Sequence, residues 1–317
     1  MSLPGSDALI RWVRKQGAWR RIFIFLFLLA VVWIPLAGPL YLFGYAFNRS
    51  GTAEILALVL LYSGFLFGLP RWGRRVHGWP RPFERCGLVL RSQTLKDCAI
   101  ALAIGVAGVF ALFGIETLLG WATPTSPSPR LVRFIFEGLL MALAVGFAEE
   151  MMFRGWILAE LEETYHSTTA LIMNALFFAG THFIKPWSEV VRTFPQFFGL
   201  VALGVALVWA RRTETAPAAS SRASSRASVS AIRPESNRFK ERKGTTRLGY
   251  PIGLHAGLIW GYYIVNVGGL SEYTGRAPEW VTGIDNNPLA GLLGVILLGL
   301  IGWQFFKTAC AKAAREK

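Results

Sequence analysis

Long apolar stretches separated by short polar ones are the dominant pattern along this chain. A run of about 18 or more apolar residues with few charges is typical of a membrane-spanning helix. The pattern therefore predicts an all-α protein, a polytopic membrane bundle of about eight transmembrane helices. The predicted spans cover residues 22–47, 55–69, 98–119, 131–158, 169–184, 197–210, 252–267 and 289–306.

Arginine and lysine concentrate in the polar segments before the first span, after the second and sixth spans, and after the last. Eight spans place all of these segments on one side of the membrane, and the loops on the other side are poor in basic residues. Because basic loops stay in the cytoplasm, both termini are predicted to be cytoplasmic. The net charge of +14 is explained by these basic loops, which would face anionic lipid head groups on the cytoplasmic side. No nucleic acid partner is therefore expected.

Composition agrees with a bilayer environment. Hydrophobic residues make up 53% of the chain, charged residues 16%, and the mean hydropathy is +0.42, values that do not suit a soluble enzyme. A cleaved signal peptide is an alternative for the first span, but the apolar run is long and no small-x-small cleavage site follows it. Cys86, Cys98 and Cys310 lie near the predicted cytoplasmic face, and their odd number argues against a disulfide framework.

Four regions follow from these boundaries: a basic cytoplasmic N-terminus (1–21), N-terminal transmembrane helices (22–130), a central core (131–267) and a last helix with a basic tail (268–317). The core is interrupted at 213–247 by a Ser-, Ala- and Arg-rich segment containing S-R-A-S-S-R-A-S. This segment has too few apolar residues to bury, so it is predicted to be a disordered cytoplasmic loop. A nucleic-acid-binding or lipid-binding role for it is the alternative.

The central chemical feature is A-V-G-F-A-E-E-M-M-F-R-G-W at 144–156, which places three charges in an apolar run. Each charge at the centre of a membrane helix costs ~2.5–3.5 kcal/mol, so such residues mark candidate functional sites. Residues four apart share one helix face, and Glu150 is predicted to pair with Arg154. Glu149 lies about 100° round the helix without such a partner, which leaves it available as a general base. A purely structural charge cluster is the alternative.

Two histidines favour a catalytic site over that alternative. His182 closes the apolar segment L-F-F-A-G-T-H, and His255 opens H-A-G-L-I-W just inside the seventh predicted span. A single histidine of this kind would more often be a hydrogen-bonded core residue. Two on different helices, together with the glutamate pair, predict a polar site inside the bundle.

The ordered motifs Glu149-Glu150-x-x-x-Arg154, Phe178-x-x-x-His182 and His255 at the start of a later helix resemble those of the CPBP family. These are intramembrane glutamic endopeptidases related to type II CAAX prenyl proteases, which also include proteins labelled abortive-infection or bacteriocin-immunity proteins. The similarity spans roughly 131–266, and eight helices suit that fold.

The resemblance implies metal-independent hydrolysis of a peptide bond, without a cofactor, in a peptide or protein substrate at the membrane. By this resemblance, Glu149 and His182 of this chain would activate a water and His255 would help to stabilise the oxyanion. Glu150 and Arg154 would support the site structurally. A prenylated CAAX-type peptide is the substrate that part of the family suggests.

The chain departs from the family at Ile259, where the pattern usually has an asparagine four residues after the last histidine. Isoleucine donates no hydrogen bond, and one lost oxyanion donor costs ~2.7–4 kcal/mol in other enzymes. Asn174 and Tyr262 are candidate replacements. Helix rise also predicts different depths, roughly 7 Å from the cytoplasmic helix end for His255 and roughly 20 Å for His182.

Three other functions stay open at this stage. A non-catalytic immunity or scaffold protein of the same family is favoured by Ile259. A proton-coupled transporter would also use buried Glu and His, although the spans show no inverted repeat. Two Glu and two His could bind a metal, but the His-Glu-x-x-His pattern of zinc proteases is absent from the sequence.

Overall fold

A computed structural model of the protein describes residues 6–213 and 246–315. It bears out the all-α prediction. The predicted insert at 213–247 lies almost wholly outside the described residues, and its predicted character stays a prediction. The longest helices are α2 (Ala18–Ala46), α3 (Ser50–Trp72), α5 (Ser92–Leu118), α6 (Leu131–Glu150) and α13 (Leu292–Arg315).

Shorter helices complete the bundle. They are α1 (Ser6–Arg14), α4 (Pro82–Arg85), α7 (Leu158–Glu162), α8 (Ser167–Thr181), α9 (Trp187–Thr193), α10 (Gln196–Thr213), α11 (Gly249–Asn266) and α12 (Glu279–Thr282). Two π-helical segments extend longer helices: Gly73–His77 continues α3, and Met151–Ile157 joins α6 to α7.

A helix lies at each of the eight predicted spans, but the count of eight spans is not confirmed. Over residues 6–213 and 246–315, five helices are long and apolar enough to cross a membrane, or six if α9 and α10, bent by 74°, form one span. The helix α8 has 15 residues and so covers about 22 Å, less than the ~30 Å hydrocarbon core. The helix α11 contains four glycines and a histidine, which lower its hydropathy.

Two short strands join the loop after α5 to the loop after α11. Strand β1 (Ala122–Pro124) pairs antiparallel with β2 (Ser271–Tyr273), and Thr123 lies opposite Glu272. The topology prediction places both loops on the non-cytoplasmic side. The pairing is consistent with their lying on one common side.

Glycines bring α11 into backbone contact with α5. Gly253 and Gly257 lie so close to α5 that a Cβ on either would clash with the carbonyl oxygens of Cys98 and Leu102. Small residues spaced four apart allow this close approach of membrane helices. His255 lies two residues from each glycine, about 200° round the helix, and therefore faces away from α5.

On that opposite side α11 packs against α6. A Cβ on Gly146 would lie 3.1 Å from the backbone nitrogen of Ala256. The helix α11 is therefore held between α5 and α6, and this position brings His255 to the glutamate motif.

The N-terminal half of the bundle packs around Trp156, whose side chain is fully buried. Its ring lies 4.5 Å from that of Phe25 on α2 and 5.9 Å from that of Phe65 on α3. Aromatic contacts of this kind add to the stability gained from burying apolar area. They anchor the π-helical segment after the motif to the first two long helices.

A buried polar cluster around Glu160 joins α7 to α2 and to the end of α3. Glu160 is fully buried, and its Oε1 accepts from Trp72 Nε1 at 2.7 Å and lies 2.6 Å from His77 Nε2. Its Oε2 accepts from Arg21 Nε at 3.0 Å. Both carboxylate oxygens of Glu160 have hydrogen-bond partners, so the cluster holds these helices together. Its residues were not among those singled out from the sequence.

Candidate active site

The predicted ion pair of the motif is present. Arg154 Nη1 donates to Glu150 Oε1 at 2.8 Å, and both side chains are fully buried. Glu150 ends α6, and Arg154 lies in the π-helical segment that follows. Such π-helical segments are frequent at functional sites.

Side chains from other helices bind the backbone of this segment. Asn174 Nδ2 donates to the carbonyl oxygen of Phe153 at 2.8 Å, and Arg211 Nη1 donates to the carbonyl oxygen of Arg154. Buried carbonyls need such partners, because an unpaired one is costly. The contacts therefore hold the motif at a fixed position between α8 and α10.

The guanidinium of Arg154 also contacts an aromatic ring. Its Cζ lies 4.1 Å from the ring centroid of Phe178 on α8, a cation–π geometry. The atoms Nε and Nη2 of Arg154, and Oε2 of Glu150, are buried without a hydrogen-bond partner in the described part of the chain. The cluster thus keeps unused donors and an unused acceptor inside the bundle.

His255 binds the same carboxylate. Its Nδ1 lies 2.8 Å from Oε1 of Glu150, and the side chain is 7% exposed. A carboxylate paired with arginine is an acceptor, so Nδ1 carries the proton. This bond fixes the orientation of the imidazole and leaves Nε2 for other partners.

Glu149 faces the other nitrogen of His255. Its Oε2 lies 3.9 Å from Nε2 of His255 and has no hydrogen-bond partner among the described residues. The side chain is 24% exposed, whereas that of Glu150 is fully buried. The two adjacent glutamates therefore differ: one is held by Arg154 and His255, and the other is available.

His182 lies where α8 ends. Its Nδ1 is 2.8 Å from the carbonyl oxygen of Phe178, one turn earlier. A carbonyl only accepts, so Nδ1 donates and the neutral imidazole keeps its lone pair on Nε2. That tautomer is the one a base toward water requires.

A cavity of about 440 Å³ brings the predicted residues together. Glu149, His182 and His255 all line it, while Glu150 and Arg154 lie behind its wall. Its volume is in the range of small-ligand and peptide sites. Its remaining lining side chains include Lys185, Gln196, Leu200, Leu203, Leu258, Ile259, Tyr262, Asn287, Leu289 and Leu298.

The depth difference expected between the two histidines does not separate them. His182, just after the end of α8, and His255, in the second turn of α11, line the same cavity. The side chain of Arg211 reaches both the carbonyl oxygen of Arg154 and, at 3.2 Å, the hydroxyl of Thr246 just before α11. Arg211 therefore joins the segment just before α11 to the motif.

Ile259 lines the cavity beside His255, so the departure from the family pattern falls at the site itself. Of the two candidate replacements, Asn174 is engaged with Phe153 and is not among the lining residues. Tyr262 does line the cavity, but its hydroxyl donates to the carbonyl oxygen of Asp285 at 3.3 Å.

Sequence reasoning missed two amide side chains in the cavity wall, Gln196 and Asn287. Asn287 Oδ1 accepts from the backbone nitrogen of Leu289 at 3.1 Å. This bond orients the amide and leaves its nitrogen as a donor. Nothing in the local sequence distinguishes Asn287 from an ordinary turn residue, because it approaches the site only through tertiary packing.

An ion pair holds the loop that carries Asn287. Arg192 on α9 binds Asp285 through two contacts, Nη1–Oδ1 at 2.7 Å and Nη2–Oδ2 at 3.2 Å. The hydrogen bonds from Arg192 lower the pKa of Asp285. Asp285 has a φ of 57°, a left-handed conformation that is uncommon for a non-glycine residue.

Among residues 6–213 and 246–315, no group of three or more His, Cys, Asp or Glu side chains is arranged to hold a metal ion. The ionisable side chains that line the cavity are those of Glu149, His182, Lys185, His255 and Tyr262, and Glu150 and Arg154 lie behind its wall. A carboxylate and an imidazole acceptor can polarise a water, and preorganised donors can stabilise an oxyanion.

The fold and the cavity define an integral membrane protein of the all-α class with a buried Glu–His–Arg cluster. Residues 131–219 match the family model described as type II CAAX prenyl endopeptidase Rce1-like, a family of membrane endopeptidases. The resemblance predicted from the motifs is confirmed over this segment. Neither the curated proteins nor the solved structures compared with the chain gave a match.

The matched segment contains Glu149, Glu150, Arg154 and His182. His255 and Ile259 lie beyond it. The assignment of His255 therefore rests on its hydrogen bond to Glu150 and on its place in the cavity wall.

Proposed function

We propose that the protein is a metal-independent intramembrane glutamic endopeptidase that hydrolyses a peptide bond of a membrane-associated substrate. The observation that carries this proposal is the cavity lined by Glu149, His182 and His255, with His255 oriented by Glu150. A prenylated CAAX-type peptide is the substrate class that the family match favours.

Glu149 acts as the general base. Its unpartnered Oε2 removes a proton from a water, and the Nε2 lone pair of His182 orients that water. The water attacks the scissile carbonyl carbon, and the proton taken by Glu149 passes to the leaving nitrogen as the tetrahedral intermediate collapses.

His255 stabilises the oxyanion. In its protonated form the imidazole donates from Nδ1 to Glu150 and from Nε2 to the developing negative oxygen. Arg154 balances the charge of Glu150 from behind the cavity wall. In this role Glu150 and Arg154 act through His255 and do not touch the substrate.

Asn287 supplies the donor that the family places at the position of Ile259. Both residues line the cavity, and the amide of Asn287 is held by the backbone of Leu289. The oxyanion site is then built from α11 and from the loop before α13.

A non-catalytic protein of the same family is the second candidate. The apolar side chain of Ile259 in the cavity wall favours it, because a lost oxyanion donor lowers turnover strongly.

Purified protein incubated with a quenched library of prenylated and unprenylated peptides separates these candidates. Cleavage that persists in a strong chelator supports the glutamic endopeptidase. Cleavage that chelation abolishes and added zinc restores would show that these side chains are metal ligands. Absence of cleavage by correctly folded protein across the library would favour the non-catalytic role, whereas proton-driven flux in vesicles would favour a transporter.

A further inference from the structure

A second cavity, of about 340 Å³, forms an apolar groove between α1, α2 and α3. It shares no lining residue with the cavity that contains Glu149. Its walls include Val13 from α1, Leu28, Leu29 and Val32 from α2, and Trp72 and Val76 from the end of α3.

Two glycines on α3 form part of the groove. A Cβ on Gly64 would lie 3.0 Å from Leu29 Cδ1, and one on Gly68 would lie 3.2 Å from the ring of Phe25. Larger residues would therefore narrow the space. From Gly64 to Val76 the helix rises about 18 Å, close to the ~15 Å hydrocarbon depth of one leaflet.

One end of the groove is basic. Arg71 and Arg75 line it, four residues apart. In the described ranges, neither has a carboxylate oxygen within 4 Å, and the buried Glu160 is already paired with Arg21 and His77. Among the described residues, Arg71 donates only to the carbonyl oxygen of Phe67, at 2.7 Å. An apolar groove that ends in two guanidiniums without acidic partners is complementary to an amphipathic anion.

The helix α1 closes one side of the groove. Val13 is buried, whereas Leu9 and Trp12 are more than half exposed. Arg14 Nε donates to the carbonyl oxygen of Arg75 at 2.9 Å, which ties α1 to the basic end. An amphipathic helix with exposed Leu and Trp and with basic residues is typical of an interfacial helix.

We propose that this groove binds one acyl chain of an anionic glycerophospholipid, with the lipid phosphate against Arg71 and Arg75. Arginine binds phosphate through several hydrogen bonds in a fixed geometry. A zwitterionic lipid with the same acyl chains would fill the groove equally well, but its headgroup has no net charge to attract Arg71 and Arg75. The proposal does not depend on peptide cleavage.

Native mass spectrometry of the detergent-purified protein tests it, with phosphatidylglycerol and phosphatidylcholine of identical chains. We expect tighter binding of phosphatidylglycerol to the wild type. The double substitution Arg71→Gln/Arg75→Gln should weaken it roughly 20- to 30-fold, since each basic residue near an anionic surface contributes ~1 kcal/mol, and should leave phosphatidylcholine unchanged.

Matched controls separate the site from general surface charge. Arg74 lies between the two arginines, is exposed and does not line the groove, so Arg74→Gln should change the affinity less than about threefold. Leu28→Trp should obstruct the groove and weaken both lipids, whereas Phe27→Trp, at an exposed neighbour outside the groove, should not.

Equal binding of both lipids by the wild type would overturn the proposal, as would an effect of Arg74→Gln as large as that of the double substitution. Stoichiometric displacement of phosphatidylglycerol by a farnesylated peptide would assign the groove to the lipid of a substrate instead. Thermal melts in lipid-free detergent show whether each variant is folded. If Arg71→Gln/Arg75→Gln does not fold, Leu28→Trp still tests whether lipid binds in the groove.

Discussion

Nδ1 of His255 lies 2.8 Å from Oε1 of Glu150, the same oxygen that accepts from Arg154 at 2.8 Å. One carboxylate oxygen thus joins α11 to the motif at the end of α6. It compensates a buried guanidinium and also orients an imidazole. Loss of Glu150 leaves both Arg154 and His255 without this acceptor, and loss of Arg154 leaves the buried carboxylate without its compensating charge. Substitutions of the three side chains should therefore not be additive.

Glu149→Gln should abolish peptide cleavage without unfolding the bundle, because it keeps the shape of the side chain and removes the base. His182→Ala should be comparably severe, and the double variant little worse than either, since members of one catalytic unit give non-additive losses. Initial rates on a cleaved peptide measure this. Glu137→Gln, on the exposed part of α6, is the control and should retain wild-type activity. Wild-type rates for Glu149→Gln would place the site elsewhere.

Glu150→Gln and Arg154→Ala should each lower the free energy of unfolding by about 3–5 kcal/mol, because each leaves an uncompensated buried charge or polar group. Chemical denaturation in detergent measures this loss. The exposed pair Arg133–Glu137 has the same i, i+4 spacing on α6. Glu137→Gln should therefore cost less than about 1 kcal/mol. Equal costs at the two pairs would show that the buried pair does not stabilise the fold.

Asn287→Asp should lower kcat by about 100-fold or more with little change in stability, since it keeps the acceptor that Leu289 uses and removes the amide donor. Ile259→Asn, which places an amide on α11, should restore part of this activity. Steady-state kinetics of the two single variants and the double variant test the relation. If Asn287→Asp has wild-type kcat, the oxyanion donor is another group.

Glu160→Gln should lower the melting temperature strongly, because the carboxylate joins Arg21, Trp72 and His77 in a buried cluster. We expect a loss of about 3 kcal/mol, with the cleavage rate per folded molecule unchanged. Glu163 lies three residues later and is partly exposed. Glu163→Gln is the control and should have a small effect. A selective loss of activity in Glu160→Gln would instead link this cluster to catalysis.

Both termini and the segment 213–247 are predicted to be cytoplasmic. A cysteine placed at Ser224 should resist a membrane-impermeant maleimide in intact cells, on a background with Cys310→Ser. A cysteine at Ser126, exposed in the loop after α5, should react. The opposite pattern would invert the topology, and reaction at both positions would contradict the eight-span arrangement.

The apolar runs were sufficient to predict an all-α membrane bundle and the approximate position of every long helix. Spacing along a single helix was also sufficient for the Glu150–Arg154 pair, because residues four apart on one helix meet whatever surrounds them. The ordered motifs predicted a resemblance to this family, and the match over 131–219 confirmed the resemblance for that segment.

The number of spanning helices could not be read from apolar runs, because α8 is short and α9 and α10 are bent by 74°. The roles of the two glutamates depend on which one His255 contacts. That contact is set by the glycines at 253 and 257, which seat α11 against α5. These glycines are visible in the sequence at a spacing of four, but their partner helix is not.

Asn287, Gln196 and the Glu160 cluster depend on tertiary structure alone. Arg21 and Glu160 are 139 residues apart in the chain, and their pairing has no local signal. Contacts between residues three or four apart in one helix depend only on that helix, and they form in any fold that contains it. The cavity is instead made by contacts between distant segments, and those contacts are set by close packing of the whole bundle.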